Sequence, residues 1–472
     1  MSRTAVEVPE RFLQRMAVLL GEAYPAFAAL YVSPPTHGLR VNTLKLTPAQ
    51  FQAFSPFALS ALPYCPAGFV VDDENRPGKH PYHAAGLYYL QDAHAQAVAE
   101  ILAPQPGERV LDLAAAPGGK TTHLASLMQN QGVLVANEIR TQRVGHLTAN
   151  LERWGARNTV ILNESPERLA AFFGAFFDRV LVDAPCSGEG MFRKDRAAVE
   201  GWSETVIAGC AARQTAILHY AARLTRPGGW LAYSTCTFAP EENEQVIARF
   251  LDAHPNFELA DIPPHVAQHT PGGSVATGML RLWPHTSPGE GHFVALMRRS
   301  QRLLADGGSS SPAAKPDGAA FSPPPRSAQR LYDAFCDETL YPLAETPRLA
   351  QVGARLYALA EELPALTGLR VVHPGWWLGN FKKDRFEPAH ALAMGLTVDQ
   401  ARRVLPLLAD SSEIVHYLRG ETLSSAGEDG WLLVAVACPL QSASSSMAFP
   451  LGWGKRVRGL VKNHYPRGWQ WL

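Results

Sequence analysis

Two cysteines fifty positions apart, each at the carboxyl end of a predicted strand, carry the strongest chemical signal in this sequence. Cys186 follows the apolar run in VLVDAPCSGEGMFRKD, and Cys236 closes GGWLAYSTCT. Parallel sheets hold ligands in the crevice outside the carboxyl ends of their strands, so a thiol there is placed to react. One such cysteine alone reads as a small buried hydrophobe. Two, behind a small-residue loop, point to covalent catalysis with a division of labour.

That loop is LDLAAAPGGKTTHL, with Ala114, Ala115, Ala116, Pro117, Gly118, Gly119 and Lys120 between a strand and a helix start. Small residues let the backbone approach a ligand, and exposed amides at a helix start attract negative charge. Asp112 ends the preceding strand and Glu138 the next one, where a carboxylate can bind both hydroxyls of a ribose. The inference is a nucleoside cofactor, either NAD-like or S-adenosylmethionine, and the missing G-x-G-x-x-G pattern lowers NAD. AAAPGGKT also nearly spells a phosphate-binding loop, which makes a nucleotide triphosphatase a rival. Alanine at the first loop position, Pro117, and a Glu138 without a role there count against it.

A thiolate adding to carbon 6 of cytosine turns carbon 5 into an enamine-like nucleophile that can attack a methyl sulfonium. A base must then remove the proton from carbon 5, so that the thiolate is expelled. A free thiol near pKa ~8.5 is only slightly ionised at neutral pH, so a cation or helix start should activate it. Lys120, Arg193 and Lys194 are the candidates, and Asp183 is placed to hydrogen-bond the ring nitrogen and exocyclic amine of cytosine. Cys65, Cys210, Cys336 and Cys438 lack such settings and read as structural or incidental.

The elements that must position these groups alternate strictly from about Tyr82 to Arg299. Strands RVLDLA, GVLVANEI, NTVILN, FDRVLVDAP and GWLAYSTCT are separated by helical stretches such as TQRVGHLTANLERWG and ETVIAGCAARQTAILHYAARL. Such alternation predicts right-handed crossovers and a parallel, doubly wound α/β sheet. MLRLWPH and HFVALMRR form a predicted hairpin that adds a last antiparallel strand. The expected division is an amino-terminal α/β RNA-binding module over 1–81, a catalytic domain over 82–300, a Pro/Gly/Ser-rich linker over 301–326, an intermediate domain over 327–408 and a β-rich RNA-binding domain over 409–472. After Gly430 come Lys455, Arg456, Arg458, Lys462 and Arg467, no acid, and the aromatics Trp453, Tyr465, Trp469 and Trp471. This mixture suits RNA through phosphate neutralisation and base stacking, or else marks a basic surface over buried tryptophans.

At 472 residues the chain exceeds a single core. Its 46% hydrophobic and 18% charged content describes a soluble globular protein, and no apolar run is long enough to span a bilayer. The start lacks the pattern of a secretion signal, which predicts a cytoplasmic location. The six cysteines show no Cys-x-x-Cys and no zinc spacing, so neither disulfides nor a metal is expected. The balance of 43 basic and 43 acidic residues restricts any nucleic-acid contact to local patches.

PGGKT, DAPCSGEGMFRKD and YSTCTFAPEENE together resemble the Sun family of RNA (cytosine-5)-methyltransferases. With RVNTLK, HAAGLYYLQDA and GWGKRVRGLVKNHYP at the flanks, the whole chain is similar to that family's bacterial RsmF-type branch, which modifies small-subunit (16S) ribosomal RNA. The resemblance implies a Rossmann-like methyltransferase sheet and a PUA-like carboxy-terminal domain. It also implies S-adenosylmethionine as methyl donor and ribosomal RNA, rather than DNA or membrane, as partner of a monomer. By the same resemblance Cys236 is the nucleophile and Cys186 assists release. Ala114 to Lys120 and Glu138 contact S-adenosylmethionine, Asp183 sits between cofactor and base, and Lys120 faces the target base. Arg40 and Asn42 match a family motif. Many relatives carry an Asp after the third strand to hold adenine; NESPE stands here, which leaves Asn163 or Glu164 for that contact. The rivals are a methyltransferase acting on tRNA or 23S rRNA, a ribose 2′-O-methyltransferase, a DNA cytosine methyltransferase attacking through Cys186, and a non-catalytic RNA-binding factor.

Overall fold

The computed structural model describes residues 8–72, 76–270, 274–301, 321–342, 347–360, 362–439 and 447–472. Most of the expected linker lies outside these residues. Its described end is structured, with Ser322 bridged to Gln351 and a helix beginning at Arg326.

The central sheet is built from β1 (Arg109–Asp112), β2 (Val133–Asn137), β3 (Thr159–Leu162), β4 (Phe177–Asp183), β5 (Thr225–Thr235), β6 (Met279–Leu282), β7 (His292–Arg299) and β8 (Val371–His373). Two short strands, Phe257–Leu259 and Ser274–Ala276, pair at its β7 and β6 side. Strands β1 to β5 run parallel in the order β3-β2-β1-β4-β5, and β7 closes on β5 antiparallel. The hairpin expected from MLRLWPH and HFVALMRR is β6–β7. Order reverses at β1, so the crevice between the carboxyl ends of β1 and β4 is the ligand position of a doubly wound sheet.

Both long crossover helices form where their periodicity places them. In Thr141–Trp154 the residues Val144, Leu147, Leu151 and Trp154 point inward at helical spacing, and Gly155 at φ 79° ends the helix. Glu204–Leu224 starts on Ser203, whose hydroxyl accepts from the Val206 amide, and buries Ile207, Cys210, Gln214 and Leu218. One apolar cluster, with Phe173, Leu218 and Phe250, covers one face of the sheet. A second, with Ala97, Leu124, Leu147 and Leu151, covers the other.

A four-stranded antiparallel sheet precedes the catalytic core, in the order Leu59–Ala61, Gly68–Val71, His37–Val41, Tyr88–Leu90. Its last strand lies beyond residue 81, so the amino-terminal sheet reaches further along the chain than the expected boundary. Beyond the linker lie a four-stranded sheet over 348–388 and a five-stranded sheet over 404–463. The Val404–Leu408 strand pairs in parallel with Gly430–Cys438, so the second sheet starts before residue 409. The three residues of β8 join the central sheet, with Val371 opposite Leu162 on β3. No helix among the described residues is long and apolar enough to cross a membrane.

Candidate active site

Cys186 and Cys236 meet at the carboxyl ends of β4 and β5, with their Sγ atoms 3.4 Å apart. Parallel pairing of Asp183 with Ser234 sets the two loops side by side. Two buried glutamates, Glu189 and Glu242, then tie the loops together. Glu242 accepts from the Ser187 amide (3.0 Å), the Ser187 hydroxyl and Gln214 Nε2 (2.8 Å). Glu189 accepts from the Thr237 hydroxyl and the Phe238 amide, both at 2.8 Å, and from Trp202 Nε1 at 3.0 Å. Burial pushes both carboxyls above their ordinary range. Gly190 donates its amide to the Cys236 carbonyl at 2.7 Å, and a Cβ there would sit 2.8 Å from that oxygen. This close approach is why glycine stands in SGEG. The hydrogen bond to Cys236, burial and the Glu242 charge all push the Cys186 thiol up, so Cys186 is held protonated.

Asp183 ends β4 with both oxygens occupied. Lys120 Nζ lies 2.8 Å from Oδ2, and the Ser234 hydroxyl donates to Oδ1 at 2.8 Å. Burial works to raise this carboxyl, but Lys120 above all, with the Ser234 hydrogen bond, holds it below the usual range. His292, at the start of β7, places Nε2 4.0 Å from Asp183 Oδ1 and gives that buried atom no partner. Burial, with Lys120 nearby, lowers His292 to about 3, so the ring is neutral.

The small-residue loop runs from β1 into the Gly119–Leu127 helix, and Gly118 makes the turn at φ 111°. Two carboxylates beside it have unmet capacity. Asp112 accepts from the Thr121 hydroxyl at 2.7 Å, while its buried Oδ1 has no partner, and burial raises it to about 7. Glu138 accepts from the Arg140 amide at 2.8 Å, and its buried Oε2 is ion-paired with Arg143 at 3.3 Å without a hydrogen bond. Next to it Ile139 is 55% exposed, an apolar surface beside the carboxylate. The unpartnered Asp112 oxygen, the Glu138 carboxylate and the glycine turn fit a nucleoside with free hydroxyls.

Asn163 gives both amide hydrogens to the Glu138 and Ile139 carbonyls (2.6 and 3.1 Å) and accepts from the Thr141 hydroxyl. It therefore braces the end of β2 and has no free donor for adenine. Glu164 is buried, accepts from the Arg370 amide at 2.7 Å and pairs with Arg168 at 3.1 Å. Arg193 and Lys194, expected to bring positive charge to the thiols, are paired instead. Arg193 lies 3.2 Å from Glu290, and Lys194 lies 2.8 Å from Asp92.

Arg40 and Asn42 are buried fasteners. Arg40 donates to Gln91, to the Gly119 carbonyl (2.8 Å) and to the Thr122 hydroxyl (2.7 Å), with its guanidinium 5.0 Å from the Trp154 ring. Asn42 donates to the Gly86 and Trp154 carbonyls, both at 2.8 Å. In the tail, Trp453 and Tyr465 belong to the core and do not form a stacking platform. Arg458, Lys462 and Arg467 are exposed. Glu189, Glu242 and His292 were not singled out from the sequence. The acidic positions in SGEG and EENE beside each cysteine were the available signal.

A doubly wound sheet with a small-residue loop after β1 and a carboxylate after β2 is the Rossmann-like arrangement in which nucleoside cofactors bind. Comparisons with known proteins agree. The description "16S rRNA methyltransferase RsmB/F" matches residues 99–298, and three RsmF descriptions match the flanks: the N-terminal domain at 8–93, the first C-terminal domain at 334–396 and the PUA domain at 445–471. Ribosomal RNA small subunit methyltransferase F of Erwinia tasmaniensis is 32% identical over 480 residues, covering 99% of this chain and 98% of the relative. The chain belongs to this RsmB/F family of methyltransferases. A solved methyltransferase homologue from Pyrococcus horikoshii is 29% identical with a TM-score of 0.53, covering 62% of this chain and 96% of its own. NSun6 from Pyrococcus horikoshii, solved with SFG, shares the fold at 21% identity and a TM-score of 0.54, covering 64% of this chain and 100% of its own.

Proposed function

We propose that this protein transfers a methyl group from S-adenosylmethionine to carbon 5 of cytosine in 16S ribosomal RNA, through a covalent adduct on Cys236. The observation that carries this reading is the thiol pair, 3.4 Å apart beside the Lys120–Asp183 pair. Ribose 2′-O-methylation has no use for two thiols. S-adenosylmethionine supplies an electrophilic methyl on a sulfonium. Glu138 takes the ribose hydroxyls, Ile139 packs on the adenine, and residues Ala114 to Lys120 line the loop against the donor.

The Cys236 thiolate bonds to carbon 6 of cytosine and moves an electron pair to carbon 5. That pair takes the methyl group, while the electrons of the broken carbon–sulfur bond stay with the donor's sulfur. Asp183, ionised by its pairing with Lys120, accepts from the exocyclic amine and orients the ring. With Cys236 tied up as a thioether, the largest influence holding Cys186 protonated is gone. Cys186, its own proton released to solvent, takes the proton from carbon 5, and the electrons left behind restore the ring double bond and expel Cys236 as a thiolate. The thiols thus act in sequence.

The target cytosine must leave its stack to reach this site, at a cost of a few kcal/mol. The exposed Arg458, Lys462 and Arg467 supply phosphate contacts in the tail. Bisulfite sequencing of 16S RNA from cells with and without the gene tests the proposal. At least one cytosine should lose its protection in the deletion, and an unchanged pattern throughout would sink it.

A further inference from the structure

Away from the thiol pair, three buried side chains of different metal-ligating types converge. Cys65 sits in the turn between Leu59–Ala61 and Gly68–Val71, Glu100 on the helix Ala93–Leu102, and His123 on the helix Gly119–Leu127. Their donor atoms all lie within 4.8 Å of one another. Glu100 Oε1 is 3.4 Å from Cys65 Sγ and 3.0 Å from His123 Nε2. Nε2 of the half-exposed His265 lies 3.6 Å from the other Glu100 oxygen, outside that mutually close trio, so it must swing inward to serve as a fourth donor.

Tetrahedral zinc, with bonds of about 2.0–2.3 Å, sets its donors roughly 3.3–3.7 Å apart. We propose that Cys65, Glu100, His123 and His265 form a structural zinc site that clasps the amino-terminal sheet to the catalytic core. Sulfur and nitrogen donors exclude magnesium and calcium, which take oxygen. A thiolate and a carboxylate neutralise the dication, as a site close to the buried Arg40 cation requires. In the metal-free protein His123 Nε2 donates to Glu100 Oε1, and zinc would take the place of that proton, which moves to the unpartnered Nδ1. Binding expels the Cys65 proton to solvent and changes no oxidation state. His265 gives the ion an entry path from the surface. The site lies on the helix that follows the cofactor loop, yet it is independent of the methyl-transfer reading.

The test uses full-length protein, dialysed and then exposed to zinc or to cobalt(II) alone. We expect about one zinc per chain by mass spectrometry, in line with four-donor structural sites. Cobalt should give a thiolate-to-metal charge-transfer band in the near ultraviolet. The band should persist in the Cys186→Ala/Cys236→Ala protein and vanish in Cys65→Ser and His123→Gln. His265→Ala, at a half-exposed position that leaves the core intact, should weaken cobalt affinity about 10-fold or more. No retained metal and no band would mean a hydrogen-bonded triad only. A band that survives Cys65→Ser but is lost with the catalytic thiols, or full affinity in His265→Ala, equally overturns the site.

Discussion

The Sγ atoms of Cys186 and Cys236 lie 3.4 Å apart although fifty residues separate them in the chain. At that distance the two thiols share a hydrogen bond, and it helps to push the Cys186 thiol up. Cys236→Ala should therefore abolish both methylation and the denaturation-resistant protein–RNA adduct. Cys186→Ala should form that adduct and retain it, with turnover reduced about 10²–10⁴-fold, as for loss of a proton-transferring group. Denaturing gels with labelled RNA and donor report both outcomes. The reverse pattern would exchange the two roles.

Lys120 sets the ionisation of Asp183. Burial pushes that carboxyl up, and Lys120 at 2.8 Å is the leading influence pulling it down. A depressed carboxyl contributes stability above its unfolded pKa and loses it as pH falls through the folded value. In Lys120→Met burial prevails, and Asp183 takes up its proton at a higher pH. The acid limb of the pH–rate profile should move upward by about 1 unit or more. An unmoved limb would show that Asp183 ionisation does not govern the rate.

Asp112 behaves with the opposite sign. Burial lifts it to about 7, so the folded protein holds a proton that the unfolded chain releases near pH ~4. The stability tied to that proton is complete below about pH 4 and lost as pH rises through about 7. Asp112→Asn removes the loss. Its Tm advantage over the parent should grow between about pH 6 and about pH 8. Its affinity for S-adenosylmethionine should fall, because an acceptor is gone from the cradle; thermal scans and calorimetry at both pH values read the two effects.

Arg40 links the amino-terminal sheet to the cofactor loop. Its removal leaves Gln91 Oε1 and the Thr122 hydroxyl without their donor in a buried setting, while the Gly119 carbonyl keeps only the Thr122 hydroxyl. Arg40→Met should cost about 3 kcal/mol or more by denaturant titration. Arg40→Lys should not rescue it, because one ammonium cannot serve three acceptors in a fork while stacking on Trp154. Donor binding should weaken in both variants, since Gly119 begins the loop's helix.

Much of the core was legible because its signals are local. The inward residues of Thr141–Trp154 repeat at helical spacing, and the strand-then-cysteine motifs place both thiols at strand ends. What stayed hidden depends on partners distant in sequence. Arg193 and Lys194 look free in FRKD, but Glu290 and Asp92, about a hundred residues away, neutralise them. Cys65 reads as incidental until the fold sets Glu100 and His123 beside it. Trp453 and Tyr465 alternate with basic residues as an RNA-stacking face would, yet the strand pleat turns Trp453 inward and packing buries Tyr465. Nothing in three residues such as VVH announces that they extend a sheet two hundred positions upstream.

That short strand, β8, bears on the donor site through backbone atoms. The Arg370 amide donates to buried Glu164 at 2.7 Å, and the Arg370 carbonyl accepts from the Asn163 amide at 3.0 Å. Asn163 in turn holds the carbonyls of Glu138 and Ile139. The Arg370 side chain, by contrast, is largely exposed and 3.7 Å from Glu164, a pairing worth little in water. Backbone and side chain can therefore be separated. Arg370→Ala keeps the amide and should leave stability within about 0.5 kcal/mol of the parent. Arg370→Pro removes the amide hydrogen, strands a buried carboxylate oxygen and should cost roughly 1–3 kcal/mol. If β8 supports the cradle through Asn163, the proline variant should also bind S-adenosylmethionine more weakly by calorimetry, while the alanine variant does not. Equal donor affinity in the two proteins would confine β8 to covering the edge of β3.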